Sequence, residues 1–320
     1  MKKLSLFDKL LYIVNSLISL LLLLSYLLPY ISPKNIPFFA ILSLFVPVLI
    51  ILNILFFTYW LIKLKRQLLL SGFILLIGWF SVSPFYKLSK KNTSLNSDLK
   101  VMSFNVRMFN HFKSLEEKDI EKKIFSFIED NDPDILVVQE NISLEKYDIN
   151  FSHKYIGKKN KKNYFGMAIY SKLPIVNKGS LELKNTSNNI IFADILIKND
   201  TIRVYNLHLQ SLHISPKKEN FGQENSEKLI QKLEKNFLKQ AKQTELFLAH
   251  EKKWNGKKII CGDFNNTAYS WVYTQISDNK KDGFIEAGKG FGKTYNYWFP
   301  MRIDFILTDK TATINQFTSF

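Results

Sequence analysis

The sequence predicts a mixed α/β domain carried behind a membrane-spanning amino-terminal region, and three observations lead there. Residues 10–31, 36–62 and 68–86 are long apolar stretches without a charged side chain. From Leu99 onward, short apolar runs alternate with stretches of helical period, the grammar of an α/β domain. Several of the short runs end abruptly in Asn, Glu, His or Asp, most pointedly Ile259-Ile260-Cys261-Gly262-Asp263-Phe264-Asn265-Asn266.

Each apolar stretch reaches the roughly 20 residues needed to cross a hydrocarbon core. A cleaved signal peptide fits the first poorly, because Leu27-Leu28-Pro29-Tyr30 lacks the small residues of a cleavage site. Lys2, Lys3 and Lys9 precede the first span and Lys63, Lys65 and Arg66 fill the second link, whereas the first link holds Lys34 alone. Positive residues favour the cytoplasm, so the amino terminus and second link are expected inside and everything after Tyr86 on the exoplasmic side, although Lys87, Lys90 and Lys91 oppose that placement. Trp60, Trp79 and Tyr86 are expected as interfacial anchors. The expected organisation is a multi-pass plasma-membrane anchor over 1–88, a Ser/Asn/Lys linker over 89–97, and a folded domain over 98–320.

Charge follows the same division. Residues 1–97 hold ten Lys and Arg against the single acid Asp8, so much of the net charge of +16 flanks apolar segments and marks no nucleic-acid-binding stripe. Cys261 is the one cysteine, which excludes an intrachain disulfide and suits a small core position.

Within the folded domain, 99–106 reads as a strand with Val101, Ser103, Asn105 and Arg107 on one face. Ile120, Ile124, Phe127 and Ile128 place a helix within 116–130, stopped by Asp132-Pro133-Asp134. Residues 135–138 form a continuously apolar strand ending in Gln139-Glu140. Strands follow over 165–171, 175–183, 190–197 and 201–209, then a long amphipathic helix over 226–250, the strand entering Gly262, a short helix over 271–276 and a last strand over 303–307. The Lys/Asn-rich segment 158–163 reads as a solvated loop. About 220 residues suffice for a full core.

The strand ends collect unusual polar residues: Asn105, Glu140, Asn206 with His208, Asp263 with Asn265, and Asp304. Each also has a plain structural role open to it: a turn-forming Asn or Asp, a helix-start carboxylate at Glu140, a buried hydrogen-bonded His208, a surface pair of Asp304 with Arg302. Together they offer hard oxygen ligands, a histidine that moves a proton near neutral pH, and a carboxylate able to orient water. Such a set equips a protein for metal-assisted attack on a phosphate ester.

Ser103-Phe104-Asn105-Val106, Gln139-Glu140, Asn206-Leu207-His208-Leu209, Gly262-Asp263-Phe264-Asn265 and Arg302-Ile303-Asp304-Phe305-Ile306 resemble, in order and approximate spacing, the endonuclease/exonuclease/phosphatase superfamily related to deoxyribonuclease I. The resemblance covers 98–320 and implies a four-layer α/β sandwich with the site at one edge. It also implies Glu140 as the main ligand of Mg²⁺, with Mn²⁺ the alternative ion, and Asn105 beside it. Asp263 would orient or deprotonate the attacking water, Asn265 and His208 would contact the phosphate, and Asp304 would support the metal side or a partner histidine. Arg107 and Asn206 are added as substrate-phosphate contacts.

The family closes with a Ser-Asp-His or similar triplet, but none of His111, His153, His208, His213 and His250 lies after Asp304. The expectation is a truncated active enzyme with one sheet edge exposed, substitution by another group and loss of catalysis being the alternatives. The function expected is a membrane-anchored, Mg²⁺-dependent hydrolase of phosphate esters, a phosphodiesterase or nuclease. Its rival is a catalytically inactive membrane protein that uses the sandwich for binding. Expected partners are the bilayer and a phosphate ester, either nucleic acid or a phospholipid head group, with no protein partner.

Overall fold

The computed structural model describes all residues except 1–3, 112–116, 143–149, 159–165, 213–222 and 298. Lys2, Lys3, His213 and most of the 158–163 loop therefore lie outside the described residues.

The amino-terminal region is a helical bundle. Helix α1 (Leu6–Ser25) is capped by Ser5, whose hydroxyl accepts the Asp8 N–H at 3.1 Å, and is followed by a 3₁₀ turn at Leu28–Tyr30. Helices α2 (Pro37–Leu42), α3 (Val46–Ile62) and α4 (Leu68–Ser81) complete it. The expected second span is thus divided in two. Pro47 carries no N–H and its ring crowds the carbonyl four residues back, so the helix must restart. The third stops at Ser81, ahead of Ser83-Pro84, where the residue before proline is steered out of the helical region. Among the described residues, only the Leu6–Tyr30 segment is long and apolar enough to cross a membrane, and α3 and α4 are shorter apolar helices.

Polarity in this bundle is inverted. Asn15, Ser19, Asn53 and Ser71 are each 0% exposed, whereas Leu6, Phe73 and Phe80 are 85%, 64% and 80% exposed. Asn15 Nδ2 donates to Ser19 Oγ at 3.1 Å and Ser71 Oγ at 2.7 Å, and Ser19 Oγ donates to Asn53 Oδ1 at 2.7 Å, which ties α1, α3 and α4 together. Trp60, expected at an interface, is buried in this network and donates its indole N–H to Asn15 Oδ1 at 3.0 Å. A buried indole needs such a partner.

The remainder is a sandwich. One sheet contains β1 (Val101–Asn105), β2 (Ile135–Asn141), β3 (His153–Lys158) and β4 (Gly166–Ser171) in the order β1-β2-β4-β3. The other contains β5 (Ile175–Ser180), β6 (Asn189–Ile197), β7 (Asp200–His208), β8 (Lys258–Asp263), β9 (Lys280–Asp282) and β10 (Asp304–Asp309) in the order β5-β6-β7-β8-β10-β9. Ile135, Val137, Met167 and Ile169 of the first sheet pack against Ile191, Ala193, Val204, Ile259 and Cys261 of the second. Helix α5 (Ile120–Asn131) covers the outer face of the first sheet through Phe125 and Ile128. Helices α6 (Gln223–Glu251) and α7 (Trp271–Ser277) cover the second through Phe247, Val272 and Ile276, and a short α8 (Gly283–Ala287) follows β9. The result is four layers. β1 lies at an edge of its sheet, and the segment beyond β10 runs against the linker, with Asn315 donating to Asp98 at 3.0 Å.

The bundle docks on the sandwich through the break between α2 and α3. Leu44 is buried among Leu212, Leu233 and Phe237, with Met301 alongside, and Tyr269 joins Leu22, Tyr26, Val46 and Ile74.

Candidate active site

Five strand ends meet at one edge of the sandwich. β8 lies between β7 and β10, and its last residue Asp263 is in register with His208 on one side and Asp304 on the other. Gly262 makes this approach feasible. Its φ is +138°, and a Cβ there would lie 2.0 Å from the Leu207 carbonyl oxygen, so only glycine fits. From the other sheet, Asn105 ends β1, and Glu140 sits in β2 where the pairing with β4 shifts register between Val138 and Asn141. Such a bulge re-aims a side chain, and the φ of +52° at Glu140 is the local strain it requires.

Asn105 joins the two sheets: its Nδ2 donates to Glu140 Oε1 at 3.2 Å and to Asp263 Oδ2 at 3.0 Å. Its side-chain oxygen accepts the Arg107 N–H at 3.0 Å, so Asn105 turns its nitrogen, not the oxygen expected of a metal ligand, towards the carboxylates. His208 Nε2 lies 3.8 Å from Glu140 Oε1. Asp263 Oδ1 accepts the Asn265 N–H at 2.7 Å, and Asn265, at φ +50°, donates its side-chain amide to the Leu209 carbonyl at 3.0 Å. β8 ends at Asp263, and a tight Asx turn brings Asp263 and Asn265 together.

Two expected phosphate contacts are placed differently. Asn206 is fully buried between the sheets: its Nδ2 donates to the Val138 carbonyl at 2.8 Å and the Ala168 carbonyl at 3.1 Å, and its Oδ1 accepts from Gln139 Nε2 at 2.8 Å. It is an inter-sheet staple, because a buried amide must satisfy its polar atoms where it stands. Arg107 is not on the strand face of Asn105. β1 stops at Asn105, and residues 107–110 all have positive φ, which carries Arg107 out into solvent. Arg302, considered as a surface partner of Asp304, is buried instead and pairs with Asp282 at 2.6 Å.

Burial pushes Asp263 up to about 6, against the lowering influence of the Asn265 N–H and the Asn105 amide. Asp304, partly buried, is raised well above the carboxylate range by desolvation and then by repulsion from Asp263. Two adjacent acids resist ionising together.

Sequence reasoning missed two supports. Thr294 Oγ1 accepts the Ile303 N–H at 3.0 Å and the Asp304 N–H at 3.1 Å, holding the start of β10. Gln240 on α6 donates to the Gln210 carbonyl at 2.8 Å and the Asn265 carbonyl at 3.1 Å, and accepts from Asn266 Nδ2 at 2.9 Å. The available signal was a polar residue on the apolar stripe of that helix, one turn from Phe237.

A hard divalent cation suits this donor set in part. Among the described residues, no three His, Cys, Asp or Glu side chains gather around one point. Glu140 faces the cleft beside Asn105, and Mg²⁺ is commonly held by one or two carboxylates while waters and substrate phosphates fill the remaining positions. The chain would supply part of a coordination shell.

The chain is similar in fold to D. rerio TDP2 complexed with a single-strand DNA product (19% identity, 68% of this chain and 87% of that chain covered, TM-score 0.49). It is also similar to the mannosyl-6-phosphatase of Bacteroides thetaiotaomicron (16%, 67% and 86%, TM-score 0.46) and to the human Nocturnin catalytic domain with bound sulfate (19%, 69% and 86%, TM-score 0.44). No curated protein sequence matches it. Residues 8–85 match a family described as a domain of unknown function. Residues 102–319, which contain all five converging strand ends, match the Endonuclease/Exonuclease/phosphatase family, and the chain belongs to that family.

Proposed function

We propose that this protein is a metal-dependent hydrolase of phosphate esters, a phosphodiesterase or nuclease, held in a bilayer by its helical region. The observation that carries the hydrolase reading is the convergence of Asn105, Glu140, His208, Asp263 and Asp304 on one edge, with Asn105 bridging two carboxylates from different sheets. In this reading Asp263 takes a proton from the attacking water, while His208 and the Asn265 amide donate to phosphate oxygens as charge builds on them. Asp304 stands in register beside Asp263 and supports the metal side of the site. Glu140 is the principal metal ligand, and Asn105 sets the orientation of its carboxylate. Mg²⁺, or Mn²⁺ in its place, would supply positive charge to the phosphate oxygens when bound.

Glu140→Gln keeps the shape of the side chain but removes the charge that holds a hard cation. Calorimetric Mg²⁺ affinity should fall by about 10-fold or more with the fold retained. Unchanged affinity would remove Glu140 from the metal site.

Bilayer placement is supported by the inverted polarity of the bundle. A contiguous apolar exterior of this extent is uncharacteristic of a surface facing water. At 1.5 Å per residue, α3 extends about 26 Å and α4 about 21 Å, short of a hydrocarbon core of about 30 Å. Packed on α1, they would span through local thinning of the bilayer. Lys63 Nζ lies 2.6 Å from Asp8 Oδ1, so the start of α1 and the 63–66 link share one end of the bundle, and the sandwich docks at the other. Given the basic residues at the first end, the sandwich is exoplasmic. A topology reporter fused after Lys91 should then be active only on the exoplasmic side, and activity in the cytoplasm would reverse the assignment.

A further inference from the structure

We infer that the cleft acts on phosphodiesters of lipids in the leaflet against which it sits, in preference to nucleic acid; this rests on the hydrolase reading and on the bilayer placement of the helices. Three of the segments that carry site residues are seated on the break between α2 and α3. Leu212 follows His208 in the chain and Met301 precedes Asp304, and both pack around Leu44 with Leu233 and Phe237. On the β8 side, Ser43 Oγ donates to Asn266 Oδ1 at 3.3 Å and Thr267 Oγ1 donates to the Ser43 carbonyl at 2.9 Å. Asn265 therefore stands a single residue step, about 4 Å, from a side chain that touches the end of the bundle.

Exposed aromatic side chains stand beside this seat. Helix α2 packs Ala40 and Ile41 towards the sandwich, while Phe38 and Phe39 are exposed, as are Tyr30 and Phe45 to either side. Just past α4, Phe85 and Tyr86 hold Phe291 edge-on at 5.1 and 4.9 Å, and Thr294, three residues further along, fixes the start of β10 at Asp304. Aromatic rings in this position suit the level of lipid head groups. In the reaction, water oxygen bonds to phosphorus, one P–O ester bond breaks, and the departing alcohol takes the proton, leaving a phosphomonoester.

The test uses the full chain reconstituted in vesicles of phosphatidylcholine, phosphatidylethanolamine, phosphatidylglycerol and phosphatidylinositol, with E140Q as the blank. Vesicle lipid, a single-stranded oligodeoxynucleotide and the soluble diester bis-p-nitrophenyl phosphate are compared at matched phosphodiester concentration. Lipid should be hydrolysed about 10-fold or more faster than the oligonucleotide by kcat/KM. Diluting the lipid with detergent should slow lipid turnover and leave the soluble diester unaffected. Equal or faster cleavage of the oligonucleotide overturns the inference. So does hydrolysis of the soluble diester without lipid hydrolysis, a result that leaves the hydrolase reading standing. Hydrolysis of none of the three removes both.

Discussion

Asp263→Asn should lower kcat/KM towards a soluble phosphodiester by about 10²- to 10⁴-fold, the usual worth of a positioned general base. An amide cannot take the proton of water at any useful pH. The surroundings of the carboxylate suit it to that role, because burial raises it to about 6, so it is ionised at neutral pH yet more basic than an exposed aspartate. The fold should survive the change. Asp263 accepts from the Asn265 N–H at 2.7 Å and from Asn105 Nδ2 at 3.0 Å, and an asparagine would keep one acceptor and set its own amide against the other donor. That conflict costs about 1 kcal/mol, and relief of the repulsion between Asp263 and Asp304 offsets part of it. The measurement is kcat/KM at saturating Mg²⁺ beside a thermal melt. Retention of activity within a factor of about 10 would mean that Asp263 is not the proton acceptor.

Arg302→Met should destabilise the sandwich by about 3–5 kcal/mol. The guanidinium is buried with its Nη1 2.6 Å from Asp282 Oδ2, and it lies over the rings of Phe284 and Phe305, both at 4.7 Å. Asp282 in turn accepts the Tyr273 hydroxyl at 2.6 Å and caps α8 through the Phe284 N–H at 2.8 Å. Removing the cation leaves that carboxylate buried with neutral donors only. Chemical denaturation reads the loss directly. The double change Arg302→Met with Asp282→Asn should cost less than the sum of the two singles, because the second removes the charge that the first strands. Additive losses would show that the pair is not coupled. Arg302 also donates Nη2 to Ser83 Oγ at 3.1 Å, so the change should loosen the seat of α4 on the sandwich as well.

Much of the sandwich was legible because its strands read as short apolar or alternating runs and its helices carry a period near four, and both patterns are local. The 135–138 run, the 190–197 run and the long helix after residue 226 all lie where their patterns placed them, to within a few residues. β3 and β9 were not legible. His153–Lys158 alternates weakly, and Lys280–Asp282 is three polar residues that become a strand only by pairing with β10. The apolar stretches of the first third were equally plain, but their division was not, since Pro47 interrupts a run whose composition is otherwise uniform.

For the site, the sequence by itself determined which chemical groups are present and that each stands at a strand end: Asn105, Glu140, His208, Asp263 and Asp304. Tertiary structure alone decided how each is used. Asn206 and His208 share a strand face in sequence, yet Asn206 is enclosed between the two sheets and spends its amide there, while His208, two residues nearer the edge, faces Glu140. Arg107 leaves the strand face because left-handed backbone follows Asn105, and Glu140 reaches the cleft because a bulge turns it. Asn15, Ser19, Asn53 and Ser71 read as scattered polar residues along apolar helices until three helices pack and their side chains satisfy one another. The physical reason is common to all of them. Periodicity is a property of neighbouring residues in the chain, but the burial of a polar atom depends on partners from distant segments, and its cost when unpaired dictates where it points.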